Sequence, residues 1–136
     1  MRRSISELCV ADHGSDPQIL AKWLANKNPR AFVSWLESGS ELRVAELDGR
    51  IAAVGAMKNS GEITLNYVSP DARFRGVSKA MMAALESEAR ALGLAECFLT
   101  STDTAHKFYL LLGYRDDGTE ISAFTSRPAN RMRKRL

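Results

Sequence analysis

The sequence predicts a mixed α+β fold: a central, mostly antiparallel sheet of about six to seven strands, with one parallel crossover, flanked by about four helices. Three observations carry this. Strand-like and helix-like runs alternate along the 136 residues, with no internal repeat. Asp48-Gly49 joins two strand-like runs, and that dipeptide marks a tight hairpin because both central residues need positive φ. A strand, a long helix and a second strand follow between Glu62 and Thr100, an order that makes a right-handed crossover with roughly parallel strands.

Taken in order, Ser4 to Ala11 reads as a first strand. Ser15-Asp16-Pro17 starts a helix, with a capping side chain ahead of proline, and Ile19, Leu20, Trp23 and Leu24 fall on one face. Asn28-Pro29 repeats that signal before the stripe of Phe32, Trp35 and Leu36, which Ser38-Gly39-Ser40 ends. Both tryptophans fit core packing, or the wall of a substrate cleft. Leu42–Leu47 and Arg50–Met57 form the hairpin, and Asn59-Ser60-Gly61 turns into a strand over 62–68 that Pro70 stops. From Gly76 the period becomes helical through Val77, Ala80, Met81, Ala84, Leu85 and Leu92, with Gly93 as terminal cap. A short strand over 96–100 precedes a helix capped by Thr102 or Asp103, carrying Ala105, Phe108, Tyr109 and Leu112 and closed by Gly113. Two further strands, with an irregular connection near Pro128, complete the chain.

The length fits one domain over 1–136, large enough to bury roughly two-thirds of its unfolded surface. Hydrophobic content of 45% and charged content of 26% are those of an ordinary globular protein. Cys9 and Cys97 are far apart, in no metal-like spacing, and read as buried reduced thiols. No run approaches the ~18 apolar residues of a membrane helix. The basic start, broken by Glu7 and Asp12, is no secretory leader, so a cytoplasmic location is expected. The net charge of +3 is uneven: residues 127–136 hold Arg127, Arg131, Arg133, Lys134 and Arg135, while the other 126 residues carry 14 basic and 16 acidic side chains. That basic end fits a solvated edge strand, or contact with phosphates, RNA or an acidic partner.

The chemistry concentrates in the turn from Ser69 to Lys79. The first N–H groups of a helix lack internal partners and carry the positive end of its dipole. Small residues at Gly76 and Ser78 let that backbone approach an anion, and Arg73, Arg75 and Lys79 add charge. The spacing matches neither the nucleotide-hydrolase loop nor the dinucleotide fingerprint. A solvated helix start is the plain alternative. The second feature is Ala105-His106-Lys107-Phe108-Tyr109, ending in Gly113-Tyr114. Phe108 and Tyr109 suit a core, yet a tyrosine hydroxyl beside a leaving thiolate also serves as an acid.

Asn66-Tyr67-Val68-Ser69-Pro70, then Arg73-x-x-Gly76-x-Ser78, then Ala105-x-x-Phe108-Tyr109-x-x-x-Gly113-Tyr114 resembles the GNAT superfamily of acyl-CoA-dependent N-acetyltransferases. The resemblance is specific over residues 61–114 and loose elsewhere. It implies a GNAT-like fold, with acetyl-CoA as co-substrate and no metal. It implies that the backbone of Asn66, Tyr67 and Val68 holds the pantetheine arm and polarises the thioester. The amides of Phe74, Arg75, Gly76, Val77, Ser78 and Lys79, with Arg73, take the pyrophosphate. Tyr109 stands where the family carries its general acid, beside Phe108. Thr102 replaces a common cofactor-contacting Asn, and Ser78 a Gly or Ala.

The implied reaction is direct attack of a neutral amine on the thioester within a ternary complex. Glu62 shares a strand face with Asn66, so it suits a base, acting directly or through water, or is a solvated strand-start carboxylate. Asn66 orients the amine. His13, in a loop, and His106, off the apolar stripe, have little claim to catalysis. The acceptor is a small-molecule or peptide amine whose identity is not legible. A non-catalytic acyl-CoA sensor is the competing reading. RNA binding is the weakest, since no aromatic platform interleaves with the basic residues. Homodimerisation is common in the family.

Overall fold

The structure, a computed structural model, describes residues 1–136. Six α-helices and six strands occur in the order α1 (Arg2–Leu8), α2 (Val10–His13), α3 (Pro17–Leu24), α4 (Pro29–Glu37), β1 (Glu41–Leu47), β2 (Arg50–Met57), β3 (Ile63–Val68), α5 (Val77–Ala91), β4 (Glu96–Ser101), α6 (Asp103–Leu111), β5 (Arg115–Ile121) and β6 (Pro128–Arg135). A single turn of 3-10 helix, Pro70–Ala72, links β3 to α5.

The expected single sheet is two. β1-β2-β3 form one antiparallel sheet, and β4-β6-β5 a second, also antiparallel. The two meet at one parallel bridge, Glu62 with Phe98, where the Phe98 N–H donates to the Gly61 carbonyl at 3.1 Å. A Cβ at Gly61 would stand 2.7 Å from the Glu96 carbonyl oxygen, so only glycine lets the strands touch there. Beyond that bridge β3 pairs only with β2, and its other edge is left open. The expected parallel crossover is present, but it is a splayed one.

Ser4 to Ala11 is not a strand. Ser4, Ile5, Cys9, Asp12 and His13 are buried, a set spaced at the helical period across α1 and α2. A short apolar run is ambiguous between strand and helix, and here burial on one helical face decided it. With α1 and α2 added, the helices number six where about four were expected. His13 closes α2 and is only 1% exposed. Its Nδ1 accepts from the Ser15 N–H (2.9 Å), so Nε2 carries the proton and donates to the Ile5 carbonyl (3.2 Å). It is a tie between the first two helices.

The helix caps and the hairpin turn act as read, while in the expected α5 stripe Ala80, Ala84 and Leu92 are exposed and Glu86 is buried. Asp16 and Asn28 cap α3 and α4 ahead of their prolines, accepting from Gln18 N (2.8 Å) and Ala31 N (3.0 Å). Asp48 and Gly49 take φ of 53° and 72°. In α5, Val77, Met81, Leu85 and Ala89 repeat every four residues and are all buried. They press on β2 at Gly55, where a Cβ would lie 2.6 Å from Met81 Sδ. This main core extends through Cys97, Leu99, Tyr109, Tyr114 and Met132 into the second sheet. A smaller cluster of Ile5, Cys9 and Trp23 packs against Tyr67 and Phe124. Cys9 and Cys97 are free, buried thiols.

The basic C-terminal strand is not an edge. β6 lies between β4 and β5. Arg133 pairs with Asp117 (3.0 Å) and Glu96, and Lys134 with the buried Glu86 (2.7 Å). Two of its cations are thus answered inside the fold. No helix is long and apolar enough to cross a membrane.

Candidate active site

The gap that opens where β3 leaves β4 holds a cavity of about 520 Å³. β3 lines one side with Ile63 to Val68, β4 the other with Leu99 and Thr100, the start of α5 one end, and α6 the floor. The α5 end is the anion cradle. Phe74 and Gly76 both adopt left-handed backbone, φ 62° and 76°, which folds the chain back before the helix. The first bond of the helix runs from Ala80 N–H to the Gly76 carbonyl (2.9 Å), so the amides of Val77, Ser78 and Lys79 precede any internal partner. Their positive end faces the cavity that Gly76, Val77, Ser78 and Lys79 line.

Not every basic residue of the turn belongs to it. Arg73 lines the cavity, with its guanidinium 4.5 Å from the Phe74 ring centre. Phe74 is 90% exposed at the rim. Arg75 does not line the cavity. Its guanidinium turns to Asp48 in the β1–β2 hairpin (3.2 Å), an ion pair between exposed side chains.

On the floor, Tyr109 is 8% exposed. Asn66 Nδ2 donates to its hydroxyl at 3.4 Å, which leaves the hydroxyl proton free to point elsewhere. Burial pushes the Tyr109 phenol above its ordinary value, against a smaller opposing pull from the Asn66 hydrogen bond. It is therefore neutral at physiological pH. Asn66 Oδ1 is buried with no partner in the protein. Phe108 also lines this cavity. Thr102 does too, but its hydroxyl caps α6 by accepting from Ala105 N (3.2 Å).

A second cavity, about 320 Å³, lies against the first. Ile63, Thr64, Tyr67, Thr100 and Thr102 line both. Its further walls come from α2, α3, β5 and the loop before β6. Four carboxylates face it, from Asp12, Glu62, Asp103 and Glu120, with Arg127 as the one arginine. Trp23 and Phe124 form an aromatic side, stacked at 5.7 Å with planes 4° apart. Glu62 belongs to this cavity and not to the larger one, and Lys58 holds its carboxylate at 2.7 Å. The candidate base and the candidate acid thus sit in adjoining cavities. His106 is outside both, bonded to Asp116 at 2.7 Å.

Sequence reasoning missed Asp12. Its buried carboxylate accepts from the Asp103 N–H (2.6 Å), the Thr104 N–H (3.4 Å) and the Thr104 hydroxyl (2.6 Å). It closes the first turn of α6 from 91 residues away, and no local pattern announces such a cap. Lys27 was missed as well. It is buried over the Phe124 ring (4.8 Å) and near Trp35 (5.8 Å), and desolvation lowers its pKa to about 8. No group of three His, Cys, Asp or Glu side chains is placed to hold a metal ion.

The comparisons agree with this architecture. The GCN5-related N-acetyltransferase from Rhodopseudomonas palustris superposes with a TM-score of 0.87 at 27% identity, covering 99% of this chain and 84% of that one. The PaiA N-acetyltransferase from Thermoplasma acidophilum, solved in complex with coenzyme A, shares the fold at TM-score 0.78 and 15% identity, covering 99% and 87%. An amino-acid acetyltransferase from Azotobacter vinelandii is 33% identical over 96 residues. That match covers 67% of this chain and only 21% of the relative, so the chain spans about a fifth of its length. The acetyltransferase (GNAT) domain family matches residues 10–136, and on that match this chain belongs to the GNAT acetyltransferase family.

Proposed function

We propose that residues 1–136 act as a single N-acetyltransferase domain that moves an acetyl group from acetyl-CoA to a primary amine, by direct attack within a ternary complex. The observation that carries this reading is the junction of the two cavities: one ends in a helix-start anion cradle, the other is walled by carboxylates, and β3 and β4 residues face both. The larger cavity fits the donor. Amides of Val77 to Lys79 are open to the pyrophosphate, nothing stands within 4 Å of a Cβ built on Gly76, and the buried Asn66 Oδ1 awaits an N–H donor such as a pantetheine amide. The neighbours solved with coenzyme A or acetyl-CoA support the same donor.

Acetyl-CoA brings an activated thioester, and the chain's residues manage protons and placement. The amine nitrogen bonds to the acyl carbon as the carbon–sulfur bond breaks. Tyr109 gives its proton to the departing thiolate, its oxygen held by Asn66. Glu62 takes one proton of the incoming ammonium, directly or through water, and the second proton that nitrogen loses as the amide forms restores the Tyr109 phenol. The excess of carboxylates over Arg127 favours an acceptor that arrives as a cation. The relatives named amino-acid acetyltransferase put amino acids on the list of acceptors to test.

The test is thiol release from acetyl-CoA across amines, amino acids and short peptides. Transfer to at least one class is expected. A second reading, an acyl-CoA sensor without catalysis, draws on the Lys58–Glu62 pair, which engages the carboxylate of the proposed base. Tight acetyl-CoA binding with no release across the whole panel would select it.

A further inference from the structure

We infer that the Tyr67 side chain is a second functional hydroxyl, donating a hydrogen bond to the acetyl carbonyl oxygen as negative charge gathers there. The inference rests on the acetyl-transfer reading above and adds a residue to it. Tyr67 follows Asn66 on β3, so the two side chains leave opposite faces of the strand. Asn66 reaches Tyr109 in the donor cavity, whereas Tyr67 lines both cavities. An acyl group that passes from one cavity to the other crosses this wall.

Among the hydroxyls on the shared wall, Thr100 gives its proton to Glu120 (2.5 Å) and Thr64 is exposed, while Thr102 and Tyr67 each accept one bond and keep a proton to donate. Of these two the phenol is the more acidic, and so the stronger, donor. The indole N–H of Trp23 donates to the Tyr67 oxygen at 3.1 Å. Indole is a donor only, so the direction of that bond is fixed. The phenol proton must point elsewhere, and no other hydrogen bond in the protein engages that hydroxyl. Trp23 is itself held, 2% exposed and stacked on Phe124. The oxygen is thus held in place before any ligand arrives, and such preorganisation is the condition under which a hydrogen bond contributes most to charge stabilisation.

The chemistry suits a carbonyl and not the amine. A proton donated to the amine lone pair would oppose attack, while one donated to the carbonyl oxygen follows the developing charge. Tyr67 keeps its proton throughout. Burial holds its phenol well above the usual tyrosine value, outweighing the pull of the Trp23 bond, so it is neutral across the working pH range. It complements Tyr109, which faces the sulfur side.

The experiment uses acetyl-CoA labelled with ¹³C at the carbonyl, bound to the intact chain, and reads the carbonyl stretch by difference infrared spectroscopy. The band is expected at higher wavenumber in Tyr67→Phe than in the native protein, because a hydrogen bond to the oxygen is lost. Calorimetry beside it should show acetyl-CoA affinity unchanged within about threefold. In turnover, Tyr67→Phe should lower kcat and kcat/KM together by about 100-fold or more, the range for losing one oxyanion donor. Trp23→Phe retains a smaller aromatic ring against Phe124 and removes the indole N–H, and should give a partial shift of the band. An identical band in native protein and Tyr67→Phe overturns the inference. So does a variant that raises only the KM for the amine. Failure of the native chain to bind acetyl-CoA removes the donor-site reading itself and this inference with it, and calorimetry separates that case from a donor that binds with an unperturbed carbonyl.

Discussion

The cavities proposed for donor and acceptor are built in different ways. The anion cradle of the donor end is made by neighbours in sequence: the end of β3, a turn with two left-handed residues, and the first turn of α5, all within 66–79, while α1, β4 and α6 close the rest of that cavity. Its working groups are largely backbone amides. The acceptor end is made by side chains brought from α2, α3, β3, β4, β5 and the loop before β6. A pyrophosphate is recognised by geometry and partial charge, which a helix start supplies whatever its side chains. An amine of particular shape needs particular side chains, and those come from wherever the chain passes. The donor end should therefore be sensitive to backbone changes, and the acceptor end to side-chain deletions.

The largest effect should come from the cradle. Gly76→Glu places a β-carbon at φ 76° and a negative charge beside the open amides. Acetyl-CoA affinity is expected to fall by roughly 100-fold or more. Calorimetry that returned native affinity would break the distinction drawn here.

Next is Tyr109→Phe. It removes the proposed acid and leaves the cradle intact, so turnover should drop about 100-fold or more while acetyl-CoA binding changes little. The alkaline limb of the pH–rate profile should also change shape. An unaltered rate and profile would take Tyr109 out of the chemistry.

Asp12→Ala probes the strap between the two ends. The α6 start loses its carboxylate acceptor, and stability is expected to fall by roughly 2 kcal/mol. Thermal melting reads this directly. Asp12→Asn, which keeps one acceptor oxygen, should lose less. Equal melting temperatures for native protein and Asp12→Ala would show that α6 is held without the strap.

The effect at Lys27 is spread over pH. Its pKa is lowered to about 8 from an ordinary 10.5 by burial, so between those values the unfolded chain binds more protons than the folded one. Stability must then rise with pH across that window, and the burden of the buried charge is fully present below it. Lys27→Met should flatten that rise in denaturant titrations from pH 7.5 to pH 10.5. A native-like slope in the variant would assign the pH dependence to other groups.

Local chemistry made much of the fold readable. The Asp48-Gly49 turn and the Asp16 and Asn28 caps each act over a few residues, and each is where the sequence placed it, whereas the α5 stripe is only partly so: Val77, Met81 and Leu85 are buried, Ala80, Ala84 and Leu92 are exposed, and Glu86 is buried against Lys134. The Ser4–Ala11 segment was misread because its apolar residues are too few to separate a period of two from one of 3.6. The continuous sheet was misread because pairing between β3 and β4 stops after one bridge, and no residue in either strand marks that stop. The basic tail was taken for an edge because strand order within a sheet is set by long-range pairing.

The turn at Arg73 to Ser78 shows the same division within a few residues. The sequence alone determined that a helix start there presents open amides and small residues, because orphan N–H groups follow from helix geometry. It also determined the Phe108-Tyr109 placement on the following helix. Only the tertiary structure decided that Arg75 turns away to Asp48, that Glu62 faces the second cavity, and that Trp23 and Asn66 each hold a tyrosine oxygen. Those outcomes depend on which distant side chain arrives at a given place, and a one-dimensional pattern carries no distance between residues 23 and 67 or between 12 and 103.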